Sequence, residues 1–342
     1  MAQPDVGTGD HGEFVARTEG FRRQLFAHCY RMTGSVDDAE DVVQETYLRA
    51  WRAFAGFEGR SSVRTWLFRI ATNVCLTFLE HRARRVLPTG LGMPGEDVEA
   101  PVVPADAGVA WVQPVPDALL VAEPDDPASI VTRRDSLRLA LIASLQYLPA
   151  RQRVVLILRD VLDWPAAEVA EMLETTADAV KSTLKRARAR IEEHAPVQDD
   201  VTEIDEPSRK ALLTRYIAAF ENADVDALRT VLREDAVLEF PPARTWFAGQ
   251  RYCVPFLAAQ VLDEPGRWRM LPTSANGGQP AAVSYVRGEG GAYRPFGVSV
   301  LTVSPAGIAR ITAYGDPALV RRFGAPETLA SFTAVEEAQD RA

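Results

Sequence analysis

With 342 residues the chain has room for two or three domains, each with an ordinary core. Its formal net charge of -9 would repel nucleic acid if spread evenly. Bases instead concentrate in 60–85 and 181–190, whereas 90–130 holds acids and no Lys or Arg, and local fields screened beyond about 8–10 Å decide what each part meets. Cys29, Cys75 and Cys253 lie far apart without metal-ligand spacing, so buried thiols and no metal or cofactor are expected. No apolar run nears the roughly 20 residues of a membrane span, and the N-terminus lacks a basic start and an apolar core. A cytoplasmic protein without membrane contact is the expectation.

A first helical block spans 13–87, cut by Thr33-Gly34-Ser35 and by 55–59 into helices of ordinary length. Asp37, Asp38, Glu40 and Asp41 crowd one helix start, where the macrodipole favours each anion by about 0.3–1 kcal/mol. They also form an acidic face, although a solvated helix start accounts equally well for Asp37 and Asp38. The loop 58–62 and a helix over 63–85 then combine aromatic residues with bases, the composition that holds single-stranded DNA by stacking and phosphate contact. Trp66, at helical spacing from Ile70 and Asn73, fits a core aromatic at least as well as a stacking platform. Arg82, Arg84 and Arg85 gather at the end of that helix, where duplex phosphates are the expected partner.

Residues 88–129 lose periodicity and are rich in Pro, Gly, Ala and acid, which describes a flexible, self-repelling tether. A second helical block, 130–195, contains two short helices around a tight turn over 164–190. In the second of these Val180, Leu184, Ala187 and Ile191 make an inward stripe, and Lys181, Lys185 and Arg188, with Ser182 and Arg186 beside them, face outward. This is the pattern of a helix-turn-helix whose second helix enters the major groove; a solvated basic helix is the plain alternative.

An acidic linker, 196–206, precedes a domain over 207–325 and a tail over 326–342. Two amphipathic helices, 209–221 and 225–233, are followed by β-rich segments at 236–240, 268–273, 281–287, 296–303 and 308–314, with Gly-rich turns between them. Helices followed by a strand meander mean an α+β domain. All four histidines precede it, so acid–base chemistry there would need Asp224, Asp235, Tyr216, Tyr285 or Asp316, none of them in a paired constellation. Asp224 and Asp235 read more simply as cap and turn residues. Trp246, Phe247, Tyr252, Trp268, Tyr285 and Phe296 either line a cavity or fill a core.

The run Asp37-Asp38-Ala39-Glu40-Asp41-Val42-Val43-Gln44-Glu45-Thr46, with Phe57-Glu58-Gly59-Arg60-Ser61-Ser62 and Trp66-Leu67-Phe68-Arg69-Ile70-Ala71-Thr72-Asn73, resembles region 2 of bacterial extracytoplasmic-function sigma factors. Leu148-Pro149 through Arg190 resembles region 4 of the same group, and the remainder is similar to the cone-shaped SnoaL-like domain that some members carry. The resemblance implies a multidomain chain of two all-α sigma domains plus a C-terminal α+β SnoaL-like domain. It further implies core RNA polymerase as partner through Asp41, Gln44 and Glu45. Promoter DNA would meet Arg60, Ser61, Ser62, Trp66, Asn73, Arg82, Arg84 and Arg85 at the minus-ten element, and Lys181, Ser182, Lys185, Arg186 and Arg188 at the minus-thirty-five element. Glu174 stands at a turn position where relatives often have Gly, and Thr77 and Thr183 replace an acid and an Arg common among them. A small-molecule ligand or a regulatory protein are candidates at the C-terminal domain, which is expected to modulate activity. The chain itself is expected to perform no catalysis. The alternatives are a SnoaL-like isomerase or cyclase fused to a DNA-binding module, and a helix-turn-helix regulator that acts without polymerase.

Overall fold

A computed structural model describes residues 8–120, 136–194 and 204–329. Among these, the chain divides into a helical unit (8–85, 112–120 and 136–194) and an α+β unit (86–111 and 204–329).

The helical unit starts with α1 (Thr8–Thr18), α2 (Arg22–Thr33), α3 (Val36–Ala53) and α4 (Val63–Leu79). The turn read at 33–35 is real: Gly34 closes α2 at φ 69°, and Ser35 opens α3 by accepting the Asp38 N–H through Oγ at 3.2 Å. Ser62 does the same for α4, accepting from the Thr65 N–H at 3.0 Å. Leu25, Cys29, Tyr30, Val42, Phe68 and Cys75 are buried between these helices. Burial pushes the Cys29 thiol up, in keeping with a reduced core cysteine. His28 is also fully buried, with Nε2 3.2 Å from the Thr72 hydroxyl, and burial together with the nearby Arg31 charge lowers its pKa to about 3.

The second block supplies α5 (Leu139–Leu145), α6 (Ala150–Leu156), α7 (Ala166–Met172) and α8 (Ala177–His194); α6 runs on into a π-helical turn, Ile157–Val161. It packs directly on the first block. The buried Arg153 guanidinium donates to the Met32 carbonyl, to Gln146 Oε1 at 2.8 Å and to the Leu148 carbonyl at 3.1 Å, and burial lowers its pKa to about 10. Trp164, 3% exposed, lies 5.4 Å from the Phe68 ring, and the Arg64 guanidinium covers both rings. Gln113 joins the same unit, its Oε1 accepting from Ser35 Oγ and the Val36 N–H at the start of α3.

In the α+β unit, α9 (Glu206–Glu221) and α10 (Val225–Val231) precede a six-stranded sheet with order β2-β1-β6-β5-β4-β3. Its strands are β1 (Leu232–Glu239), β2 (Trp246–Ala248), β3 (Trp268–Ala275), β4 (Gln279–Arg287), β5 (Tyr293–Ser304) and β6 (Gly307–Tyr314); β1 and β6 run parallel and the other pairs antiparallel. Helices α11 (Gln250–Gln260) and α12 (Pro317–Arg322) complete the unit. Sequence reading missed α11, where Pro255 argues against a helix, yet buried Cys253, Val254, Phe256 and Leu257 hold it on the sheet. Register shifts at Ser284/Tyr285, where β5 reaches Gly297; a Cβ on that glycine would stand 1.8 Å from the Tyr314 carbonyl oxygen.

The first part of the segment read as a flexible tether is built into this unit. A parallel bridge pairs Val86 with Trp111, closing 86–111 into a loop. Gly95 donates to the Trp246 carbonyl at 2.7 Å, and Trp246 Nε1 donates to the Gly92 carbonyl at 3.1 Å. The fully buried Glu239 carboxylate accepts from the Thr89 N–H, Arg310 and Thr312. Composition alone could not reveal these bonds, because an edge strand offers free backbone groups to any extended neighbour whatever its side chains. The rest of the expected tether, 121–129, lies outside the described residues apart from 112–120 in the helical unit.

Candidate functional site

Three exposed surfaces carry the residues singled out in the sequence. On α3, Asp41 and Gln44 are exposed, and Glu45 is half-buried and ion-paired with Arg49 at 2.7 Å. Leu48 completes the row at i+7 from Asp41 and is 51% exposed, a large apolar residue that sequence reading passed over. Asp38 does not belong to this face. Its carboxylate is 12% exposed and binds Arg85 at 2.6 Å and Arg82 at 3.5 Å.

The second surface is the loop before α4 and the outer side of that helix. Arg60 is exposed and pairs with Glu58 at 2.6 Å, Ser61 is exposed, and Ser62 is occupied as the helix cap. Trp66 is half-buried against Phe57, ring centroids 4.8 Å apart, with Phe54 at 6.4 Å and Arg17 over both phenylalanines. Trp66 therefore packs partly inward, and the rest of the residue meets solvent. Asn73 is exposed at i+7 from Trp66, with Arg69 between them. Arg69 was not foreseen; it approaches Glu174 of the helix-turn-helix turn at 3.7 Å.

The three arginines expected at the end of this helix lie past it, because α4 stops at Leu79. Each has a partner within the unit. Arg85 and Arg82 serve Asp38, Arg82 also covers the Phe78 ring at 4.1 Å, and Arg84 lies over Tyr147 at 4.2 Å. The cluster thus also has ion-pair and cation–π partners that are distant in sequence, with Arg82 and Arg84 exposed beside them.

The third surface is α8. Val180, Leu184 and Ala187 are buried, and Lys181, Ser182, Lys185, Arg186 and Arg188 all lie on the exposed side. Thr176 Oγ1 accepts from the Ala179 N–H at 3.2 Å, and Asp178 sits in the first turn beside Lys181. Glu174 adopts φ 52°, the left-handed conformation that costs a non-glycine residue on the order of 1 kcal/mol. Arg186 donates to Thr183 Oγ1 at 3.1 Å. Arg188 differs from its neighbours: it grips Asp160 with two bonds, 2.9 and 2.7 Å, which raises its pKa further and braces α8 against the π turn.

In the α+β unit, Asp224 and Asp316 cap α10 and α12, and Asp235 pairs with Arg233 at the surface. Tyr285 donates to the Pro326 carbonyl. Tyr216 alone among these five lines a partly open cavity, whose walls contain no Asp, Glu or His. Trp268 and Phe296 line it as well, whereas Phe247 is core, and Trp246 bonds the 86–111 segment. Among the described residues no cluster of His, Cys, Asp and Glu fits a metal ion, and no helix is long and apolar enough to cross a membrane.

The helical unit thus presents an exposed row with two acids on α3 and an exposed basic row on the second helix of a helix-turn-helix, the architecture of a DNA-binding class of protein. Residues 19–85 match the family model Sigma-70 region 2, and residues 138–191 match Sigma-70, region 4. The chain is 47% identical over 320 residues to the ECF RNA polymerase sigma factor SigG of Mycobacterium tuberculosis (strain ATCC 25618 / H37Rv), covering 93% of this chain and 85% of that protein. It is 30% identical over 227 residues to SigJ of the same strain, 65% of this chain and 62% of that one. The crystal structure of Mycobacterium tuberculosis extracytoplasmic function sigma factor SigJ shares the fold with a TM-score of 0.57 at 23% identity, covering 92% of this chain and 99% of that chain. The chain belongs to the extracytoplasmic-function RNA polymerase sigma factors.

Proposed function

We propose that the chain is a promoter-specificity subunit that binds core RNA polymerase and directs initiation. The observation that carries this reading is the two-sided α8: its apolar stripe is buried, and Lys181, Ser182, Lys185 and Arg186 remain in solvent on a capped helix-turn-helix. These four are assigned to the minus-thirty-five element, early residues to base edges and later bases to phosphates. Arg188 acts as a brace through Asp160. Arg60, Ser61, Trp66 and Asn73 are assigned to the minus-ten element, with Ser62 positioning the loop and Arg69 added as a phosphate contact. Asp41, Gln44, Glu45 and Leu48 form the polymerase contact, an acidic row with an apolar centre that suits a protein partner better than DNA. Arg82, Arg84 and Arg85 are assigned to holding the helical unit together.

The α+β unit is proposed to modulate initiation without chemistry of its own, since no carboxylate or imidazole lines its cavity. The isomerase or cyclase alternative lacks a general acid–base pair there, and an operator binder independent of polymerase has no use for the α3 face.

The test is in vitro transcription with core polymerase and a promoter library. Charge reversal at Asp41 and Glu45 should weaken polymerase capture at unchanged circular dichroism, and unchanged capture would remove these residues from the contact. Cutting the chain after Pro196 should change promoter activity in either direction. Such a truncation also strips 86–111 of its packing partner, so substitutions at that packing surface are the cleaner comparison.

A further inference from the structure

The cavity of the α+β unit takes no part in promoter reading, yet it has the features of a binding site. It is partly open and holds about 610 Å³, inside the roughly 300–1,000 Å³ typical of small-molecule sites. Alternating strand residues form one wall, among them Met270, Ser284 and Ser299, and Phe220 of α9 with Phe256 of α11 form the other. A sheet face buried against helices would ordinarily be filled by side chains, and a space of this size left open forfeits their dispersion contacts.

Two observations say what would occupy it. Ser284 is 2% exposed and its Oγ has no hydrogen-bond partner, so a buried hydroxyl faces an apolar space without the bond that normally offsets its desolvation. The charge in the lining is also neutralised: Arg267 is its one ionised group, and its guanidinium bonds Asp263. Tyr216, held protonated by burial and bonded to Ser299, adds a neutral phenol. An uncharged occupant fits such walls, because an unpaired charge would be costly to bury there.

The third wall is the unusual one. Val102 and Pro104 of the 86–111 loop close one side of the cavity. They are held by few bonds: the Val103 N–H donates to Thr245 Oγ1 at 2.8 Å, the Arg244 N–H to the Val103 carbonyl at 3.0 Å, and the Ala105 N–H to the Pro242 carbonyl at 3.4 Å. Val102 and Val103 are themselves about two-fifths exposed. This strap is part of the chain between the two sigma regions.

We propose that the cavity binds an uncharged, largely apolar ring compound bearing one hydrogen-bonding group for Ser284, and that occupancy stabilises the docked strap. The regulatory consequence rests on the sigma-factor reading; binding and strap docking do not. A ligand that touches Val102 and Pro104 favours the docked state by its difference in affinity for the two states, and so shifts the inter-region segment between docked and released forms.

The test uses the full chain and N-phenyl-1-naphthylamine, an uncharged diarylamine of three aromatic rings whose fluorescence rises in apolar sites and whose N–H can be accepted by Ser284 Oγ. Saturable binding is expected, weakened several-fold in Ser284→Val and at least about tenfold in Ala313→Phe, which fills the cavity from β6. Ser284→Val gives up no hydrogen bond within the protein, so it keeps the test valid where Ala313→Phe does not fold. Amide exchange at Val103 and Ala105 is expected to slow several-fold on saturation with the probe. Absence of saturable binding, or equal binding by Ser284→Val, overturns the site. Binding with unchanged exchange overturns the strap. Neither readout involves polymerase, so failure here is distinct from failure of the promoter assignment.

Discussion

Two clusters of bases in the helical unit, 82–85 and the outer side of α8, carry similar side chains and differ in the partners that stand beside them. Around 82–85, Asp38 of α3 and Tyr147 beyond α5 stand within reach: Arg85 is largely covered against Asp38, while Arg82 and Arg84 meet their partners from exposed positions. On α8, Lys185 and Arg186 are exposed, and their near neighbours are a threonine hydroxyl and solvent. Arg188 falls between the two cases: it sits on the reading helix yet is committed to Asp160. A count of bases therefore locates a charged segment without saying whether its charge is available. Availability depends on where the acids and rings of other helices arrive.

The contrast is sharpest in stability. Asp38→Ala leaves Arg85, 18% exposed, without its carboxylate, and the helical unit should lose about 3 kcal/mol, as breaking a buried pair does. Thermal unfolding should show a drop of several degrees, whereas an unchanged midpoint would mean that the pair is ornamental. Acidification attacks the same scaffold by another route. His28 has a folded-state pKa of about 3, below its unfolded value of roughly 6.5, so its contribution is complete above pH 6.5 and is lost as pH falls toward 3. By pH 5 the helical unit should be weaker by up to about 2 kcal/mol, and His28→Gln should flatten that slope in melts between pH 7 and 5. If the variant keeps the full slope, another group carries it.

The α8 bases should behave in the reverse manner. Lys185→Ala and Arg186→Ala should leave the melting midpoint in place and each remove about 1–3 kcal/mol of promoter-selective initiation if they reach base edges. A residue that meets only phosphate should instead weaken every promoter alike and reduce the salt slope by about 1. The smallest effect belongs to Arg84. Its cation–π contact is worth about 0.5–1 kcal/mol, so Arg84→Ala should lower stability slightly and leave the salt dependence of DNA binding as it was. A reduced salt slope in this variant would return the 82–85 cluster to the DNA interface and erase the contrast.

Local signals in the sequence were enough for the elements whose causes are local. Gly34 and Ser35 mark a helix boundary by backbone conformation and a side-chain cap, Thr176 can cap α8 from three residues away, and the buried stripe of α8 follows from helical period alone. The strand meander and its turns were legible for the same reason, as was the pairing of region 2 with region 4 motifs. Other features have partners too distant for a pattern to show. Asp38 reads as a solvated helix start until Arg85 folds against it, and the exposure of Leu48 shows only once the helices are packed. Pro255 argues against α11 until the sheet buries the residues around it. Residues 86–111 have the composition of a tether, and their docking comes from backbone donors and acceptors that every residue but proline carries in full. The sequence by itself determined most of the helices and strands, though not α11, and which segments are charged. Tertiary structure decided which charges are left for a partner and whether the linker is free, because both depend on the groups that distant segments bring within about 4 Å of one another.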